Sequence, residues 1–245
     1  MKVGHGSHIG KIRKLNQDAY WVGTSKDGRP VLAVADGLGG HRAGEVASQM
    51  LVTAIETFAE THQWDQVDLL KRDWVNAIQR ANREIYEAGR SDEKLAGMGT
   101  TLTMMIQSGS HIHVFHVGDT RLYRIRKDGM EKVTKDHTLV ESLLESGEIS
   151  LEEARQHPNR NMLMRAIGTD PTLEVDVLDL DWVEEDLYLL CSDGLTNYVD
   201  EQQIWEIIKM TDQPSDSVQQ LIDAANAHGG GDNITAIIYK PEVIG

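Results

Sequence analysis

An apolar run leads directly into an aspartate and a glycine-rich turn in the stretch Pro30-Val31-Leu32-Ala33-Val34-Ala35-Asp36-Gly37-Leu38-Gly39-Gly40-His41. The run from Val31 to Ala35 predicts a buried β-strand, and Pro30 before it removes a backbone donor where the strand loses little. The same pattern recurs where residues 187–192 lead into Asp193-Gly194-Leu195. We therefore expect two buried strands that each end in a carboxylate.

Further strands and helices follow from the spacing of apolar residues along the chain. Strands are predicted at residues 31–35, 101–106, 112–117, 122–125, 187–191 and 234–239. Helices are predicted from the 3-and-4 spacing over residues 46–58, 74–85 and 218–225, and Asp200 followed by Gln203 predicts a capped helix through residue 208. Short turns between neighbouring strands favour antiparallel sheets with helices packed outside them, so we expect an α+β layered fold.

The composition limits the class of protein. The 245 residues contain 39 Asp plus Glu against 24 Lys plus Arg, and the net charge of -15 disfavours nucleic-acid binding and attraction to anionic membranes. The single cysteine, Cys191, excludes an internal disulfide and a thiolate zinc cluster. No signal peptide, long apolar run or linker is apparent, so we expect one domain over residues 1–245 of a soluble, cytoplasmic protein.

Four Asp-Gly dipeptides differ in their surroundings. Asp27-Gly28 and Asp128-Gly129 lie in polar segments between strands and are interpreted as tight turns. Asp36 and Asp193 instead follow buried strands, where an ionised carboxylate is costly unless cations or hydrogen-bond donors compensate it. Both structural capping and a shared cation site are open interpretations of this pair.

Three further aspartates favour the cation site. Asp18 follows Asn16-Gln17, Asp119 sits in Val117-Gly118-Asp119-Thr120-Arg121, and Asp232 follows three glycines before the last strand. Five aspartates at strand ends or turns suit hard, oxygen-preferring cations such as Mg²⁺ or Mn²⁺. His111 and His113 share one face of a strand and could bind zinc, but without a third ligand a polar sheet face is the favoured interpretation.

Six motifs in order carry a resemblance to a known family. They are Arg13-x-x-Asn16-Gln17-Asp18, Asp36-Gly37-Leu38-Gly39-Gly40-His41, Gly99-Thr100-Thr101, Val117-Gly118-Asp119-Thr120-Arg121, Ser192-Asp193-Gly194-Leu195 and Gly231-Asp232-Asn233. Together they resemble the type 2C (PPM) protein phosphatases in their compact bacterial form, over nearly the whole chain. The resemblance implies a sandwich of two antiparallel β-sheets flanked by α-helices, with the metal centre at one end and a helical flap insertion over about residues 137–165.

The resemblance also implies a reaction and roles for residues. It implies hydrolysis of phosphoserine and phosphothreonine in proteins, with two bridged Mg²⁺ or Mn²⁺ ions activating water for direct in-line attack. Asp36 would bridge the ions, Gly37 would lend its backbone carbonyl, and Arg13 would grip the phosphate. The remaining ligands would be Asp193 and Asp232 on one ion, Asp18 through water, and Asp119 on a third ion. Phosphorylated proteins are the implied partners, and a monomer is expected.

One position departs from many eukaryotic relatives of that family. They carry histidine directly after the first Asp-Gly, where it is thought to act as general acid, whereas Leu38 stands here. His41 is a candidate general acid, with a structural role as the alternative.

Two other functions stay open at the level of sequence. A non-catalytic phosphoprotein-binding relative would be expected to lack a metal aspartate, and none is lost. A hydrolase of small phosphate esters could use the same centre. A P-loop kinase or ATPase is disfavoured, because the Gly-x-x-x-x-Gly-Lys-Ser/Thr loop is missing.

Overall fold

The computed structural model describes residues 1–40, 42–64 and 66–242, and within them eleven β-strands form two antiparallel sheets. The strands are β1 (Lys2–His8), β2 (Asp18–Thr24), β3 (Pro30–Leu38), β4 (Gly99–Thr100), β5 (Leu102–Ser108), β6 (His111–Val117), β7 (Arg121–Arg126), β8 (Gly129–Lys132), β9 (Asp176–Asp181), β10 (Leu187–Cys191) and β11 (Ile234–Lys240). The α-helices are α1 (Ala43–Thr61), α2 (Val67–Ser91), α3 (Leu139–Glu145), α4 (Leu151–Gln156), α5 (Asp193–Thr196), α6 (Glu201–Lys209) and α7 (Pro214–Ala227), with a 3₁₀ turn at Glu93–Leu95.

The two sheets differ in strand order and both are antiparallel throughout. One sheet has the order β1-β11-β10-β7-β8, and the other has the order β2-β3-β5-β6-β9, with β4 paired to β3. The first and last of these strands, β1 and β11, are neighbours in one sheet. The α+β sandwich that the resemblance implied is therefore confirmed.

The core has three apolar layers, one between the sheets and one outside each sheet. Strands β3 and β10 are therefore apolar on both faces. Between the sheets, Leu32 and Val34 of β3 pack with Tyr188 and Leu190 of β10. A second cluster lies between the β2–β9 sheet and helices α1 and α2, and a third lies between the β1–β8 sheet and helices α6 and α7. Burial of one large aliphatic side chain in such a layer stabilises the fold by about 2 kcal/mol.

The predicted end of the first strand at Ala35 is wrong. Strand β3 continues through Asp36 to Leu38, because Gly37 and Leu38 pair with Thr100 and Gly99 of β4. Asp36 therefore lies inside a strand whose backbone is fixed on both sides of it. The Asp193 dipeptide differs again, since Asp193 is the first residue of helix α5.

Five strands were not predicted, namely β1, β2, β4, β8 and β9. Elsewhere the predicted elements exist with shifted bounds. The turns at Asp27-Gly28 and Asp128-Gly129 are found as predicted, and Asp200 caps α6 by accepting from the backbone N–H of Gln203.

The predicted helical insertion lies between β8 and β9 and contains α3 and α4. Thr138 caps α3, and Ser150 forms a reciprocal capping box with Glu153 at the start of α4. Among the described residues, no helix is both long enough and apolar enough to cross a lipid bilayer.

Candidate metal centre

Five aspartates from five different segments of the chain lie at one end of the sandwich. Asp18 and Asp36 lie directly opposite each other in the β2–β3 register. Asp119 follows β6, Asp193 follows β10 and Asp232 precedes β11. Four of them, Asp36, Asp119, Asp193 and Asp232, line a cleft of about 250 Å³ together with Arg13 and Gly37.

The backbone of Asp36 is fixed by its neighbours across the sheet. Its N–H donates to Oγ1 of Thr101 at 2.9 Å, and its carbonyl accepts from both the Thr101 N–H and the Thr100 hydroxyl at 2.9 Å. Burial, and then the negative charges of Asp18 and Asp193, raise the pKa of the Asp36 carboxyl well above its ordinary value. This side chain is thus held where ionisation demands a compensating positive charge.

Asp18 lies behind Asp36 and shows an unsatisfied oxygen. Its Oδ2 accepts hydrogen bonds of 2.7 Å from the hydroxyls of Ser192 and Thr235. Its Oδ1 is buried without a hydrogen-bond partner. Burial raises the pKa of Asp18 to about 7, although the two hydroxyls act in the opposite direction. A buried carboxylate oxygen without a donor is the atom that a cation or its bound water would satisfy.

Asp119 and Asp193 extend the negative cluster. Burial and the charge of Asp193 raise the pKa of Asp119 to about 8. Burial and the charge of Asp232 likewise raise the pKa of Asp193, whose Oδ2 accepts from the side-chain amide of Asn197 at 3.0 Å. Cations in the cleft would favour the ionised form of both carboxyls.

Arg13 provides a positive charge at the mouth of the cleft. Its Nη2 donates to Oδ2 of Asp232 at 2.8 Å, and about half of its side chain is exposed. Asn233 holds the two loops together, because its Oδ1 accepts from the Gln17 N–H and its Nδ2 donates to the Ile9 and Leu15 carbonyls. Arg13 and Asp232 are therefore neighbours although 219 positions separate them.

The residues fit a group of divalent cations, although the side chains are not pre-arranged for it. Within residues 1–40, 42–64 and 66–242, no three Asp, Glu, His or Cys side chains already form a metal cage. The hydrogen bonds explain this, since Asp232 is turned to Arg13 and Asp193 to Asn197. The free Oδ1 of Asp18 and the mutual repulsion of the carboxyls are the observations that favour cations here.

Other residues considered from sequence lie elsewhere. His111 and His113 each place Nδ1 2.6 Å from an aspartate of β9, Asp181 and Asp179 respectively, as expected for a polar sheet face. Cys191 is buried, and burial raises the pKa of its thiol to about 12, which leaves it unreactive. His41 lies outside the described residues.

Sequence reasoning missed several residues of the cleft. Asn161 and Leu163 of the insertion line it, and nothing in their local sequence distinguishes them. Ser192 and Thr235, which hold Asp18, could have been suspected because each lies within three positions of a predicted ligand.

Comparison with known proteins identifies the family. The family model described as protein phosphatase 2C matches residues 6–226. The serine/threonine phosphatase Stp of Listeria innocua is 42% identical over 241 residues, which cover 94% of this chain and 92% of that protein.

Solved structures agree with this family. The S. agalactiae serine/threonine phosphatase is 37% identical, with a TM-score of 0.92 over 98% of this chain and 99% of that one. The catalytic domain of the phosphatase PstP, in complex with two manganese ions, is 34% identical with a TM-score of 0.84, over 96% of each chain. The chain therefore belongs to the protein phosphatase 2C (PPM) family of serine/threonine protein phosphatases, which are hydrolases, as its six motifs predicted.

Proposed function

We propose that the chain hydrolyses phosphoserine and phosphothreonine esters of proteins with the help of divalent cations held in the aspartate cleft. The observation that carries this proposal is the convergence of four aspartates on one cleft beside the guanidinium of Arg13. Asp18, which pairs with Asp36 across the β2–β3 register, adds a buried Oδ1 without a hydrogen-bond partner. The PstP structure with two manganese ions supports a cation group of this kind.

Asp36 is the central ligand in this proposal. It lies between Asp18 and the cleft, and its backbone is held rigidly by Thr100 and Thr101. Asp193 and Asp232, from the other sheet, and the backbone carbonyl of Gly37 are further proposed ligands. Asp119 is the proposed ligand of a third ion. Mg²⁺ or Mn²⁺ held there would activate water and neutralise the charge of the phosphate.

Arg13 is proposed to bind the phosphate of the substrate. Its guanidinium is exposed at the cleft mouth, and a planar fork of donors suits two phosphate oxygens at once. In the structure it donates to Asp232 instead. Once Asp232 is neutralised by a cation, Arg13 is free to turn toward a phosphate.

Further predictions go with this function. Phosphorylated proteins are the proposed substrates, the insertion over residues 137–165 of the single domain is proposed to select among them, and His41 is the candidate acid for the leaving alcohol. A cytoplasmic monomer is expected.

Hydrolysis assays test the proposal. We expect release of phosphate from p-nitrophenyl phosphate and from a phosphothreonine peptide with Mn²⁺ or Mg²⁺, and loss of release with chelator and in Asp36→Asn. Asp128→Asn, which alters an exposed turn aspartate of the same Asp-Gly type, is the matched control. Hydrolysis of the small ester alone would contradict the protein substrate. Inactivity with every metal would favour a phosphoprotein-binding protein.

A further inference from the structure

The first residue of the insertion, His137, is bonded twice to the residue before Asp119. The His137 N–H donates to the Gly118 carbonyl at 2.7 Å, and the Gly118 N–H donates to the His137 ring at Nδ1, at 3.0 Å. Gly118 has a φ of 107°, and a Cβ there would lie 2.5 Å from Cγ2 of Thr101. The turn that presents Asp119 therefore requires glycine at position 118, and His137 makes two hydrogen bonds to it.

The other ring nitrogen fixes the state of His137. Because Nδ1 accepts from Gly118, the proton of the neutral ring is on Nε2, which lies 3.1 Å from Oδ2 of Asp176 and donates to it. Arg165 donates to Oδ1 of the same carboxylate at 2.5 Å. Asp176 thus joins the first residue of the insertion to Arg165, where the insertion ends.

The two ends of the insertion also pair through their backbones. The Met164 N–H donates to the His137 carbonyl at 2.8 Å, and the Leu139 N–H donates to the Met162 carbonyl at 2.9 Å. Leu163, which lies between Met162 and Met164 in the chain, lines the cleft. A shift of His137 would therefore move both the Asp119 turn and the cleft wall that the insertion contributes.

We propose that His137 is a positioning residue whose neutral ring locks the insertion to the Gly118–Asp119 turn, so that Asp119 and the insertion face one cleft. The role of Asp119 toward a cation rests on the proposed function. The lock itself is a property of the chain alone and can be measured without phosphatase activity.

Two amide substitutions distinguish the hydrogen bond made by Nδ1 from the one made by Nε2. In His137→Asn, the side-chain oxygen reaches the position of Nδ1 and can still accept from Gly118. In His137→Gln, the amide reaches the position of Nε2 and can donate to Asp176, but the acceptor for Gly118 is lost. If position 137 needed only some polar side chain, His137→Asn and His137→Gln would behave alike.

The primary readout is hydrogen exchange of the Gly118 amide in the metal-free protein, followed by NMR. We expect exchange to be about tenfold faster in His137→Gln than in the wild type, and close to wild type in His137→Asn. His111→Gln, at an exposed histidine of β6, is the control and should leave the Gly118 amide unchanged. Asp176→Ala, which keeps His137 but removes its Nε2 partner, should give an intermediate rate.

The second readout is calorimetric Mn²⁺ binding. The weakest-bound ion should lose several-fold in affinity in His137→Gln and be retained in His137→Asn. Equal Gly118 exchange in wild type and His137→Gln would overturn the lock, whatever the activity. If His137→Gln does not fold, unchanged exchange in Asp176→Ala would overturn it instead. Faster exchange together with an inactive wild type would retain the lock and contradict only the proposed function.

Discussion

At the scale of single residues, the cleft places the half-exposed guanidinium of Arg13 beside a group of aspartates. Arg13 donates to Asp232 at 2.8 Å, and the surrounding aspartates raise the pKa of its guanidinium further. It therefore stays charged at every working pH. A positive charge that is half exposed at the cleft mouth is suited to bind the phosphate of a substrate.

Arg13→Ala should weaken substrate binding more than it slows the reaction. We expect KM for a phosphothreonine peptide to rise about tenfold with a smaller change in kcat, because one charge-assisted contact contributes about 1.5–3 kcal/mol. Steady-state kinetics measure both parameters. Lys14→Ala, an adjacent exposed cation, is the control. An unchanged KM in Arg13→Ala would show that this guanidinium does not bind the phosphate.

Sequence could identify which aspartates belong to the cleft only through the motifs around them. Asp27 and Asp36 both precede glycine, yet one lies in a turn and the other inside β3. The difference is the buried strand before Asp36, which is visible in the sequence. The contribution of Asn161 is not visible, because the fold of the whole insertion brings it to the cleft.

At the scale of elements, the crossing of β3 and α1 determines where the cleft can form. A Cβ at Gly37 would collide with the carbonyl of Gly44 in the first turn of α1, and a Cβ at Gly44 would collide with Gly37 in return. This close approach brings α1 against the strand directly beside Asp36. Both glycines are therefore needed by packing rather than by backbone conformation.

Gly37→Ala should destabilise the protein by about 3 kcal/mol, because backbone atoms must separate to admit the methyl group. Urea unfolding followed by circular dichroism measures this. Gly129→Ala is the matched control, since a Cβ there meets nothing within 4 Å. Equal unfolding midpoints for the two variants would contradict the close packing of β3 on α1.

The sequence of each missed strand β1, β2 and β9 departs from that of an ordinary strand, in different ways. Strand β1 contains two glycines and two histidines among seven residues, and β2 begins with the partly buried Asp18, so neither shows a regular alternation of apolar residues. Strand β9 does alternate, as Asp-Val-Leu-Asp-Leu-Asp with half of its residues exposed, but it is rich in acid for a strand. Pairing with β6 supplies the stability that its own composition lacks.

At the scale of the whole molecule, the carboxylates of the cleft repel one another in a protein whose net charge is already -15. The carboxyls with raised pKa bind protons in the folded state that the unfolded chain releases near pH 4. Their contribution to stability is therefore present below about pH 4 and is lost as the pH rises through about 7 to 8. Cations would replace the protons.

Thermal unfolding with and without Mn²⁺ should show the replacement of protons by cations in the cleft. In chelator, the cleft's contribution to stability should fall between pH 5.5 and pH 8.0. The increase in Tm on adding Mn²⁺ should be larger at pH 8.0, because fewer protons compete for the carboxylates. Asp128→Asn should behave as wild type. An equal Mn²⁺ effect at both pH values would count against cation binding by these aspartates.

The most direct test of the metal centre is calorimetric titration of Mn²⁺ into the chelator-treated protein, beside Asp36→Asn and Asp128→Asn. We predict that the wild type and Asp128→Asn bind at least two ions per chain, and that Asp36→Asn loses the tightly bound ions because the central carboxylate is neutral. Unchanged stoichiometry and affinity in Asp36→Asn would contradict a cation centre built around Asp36.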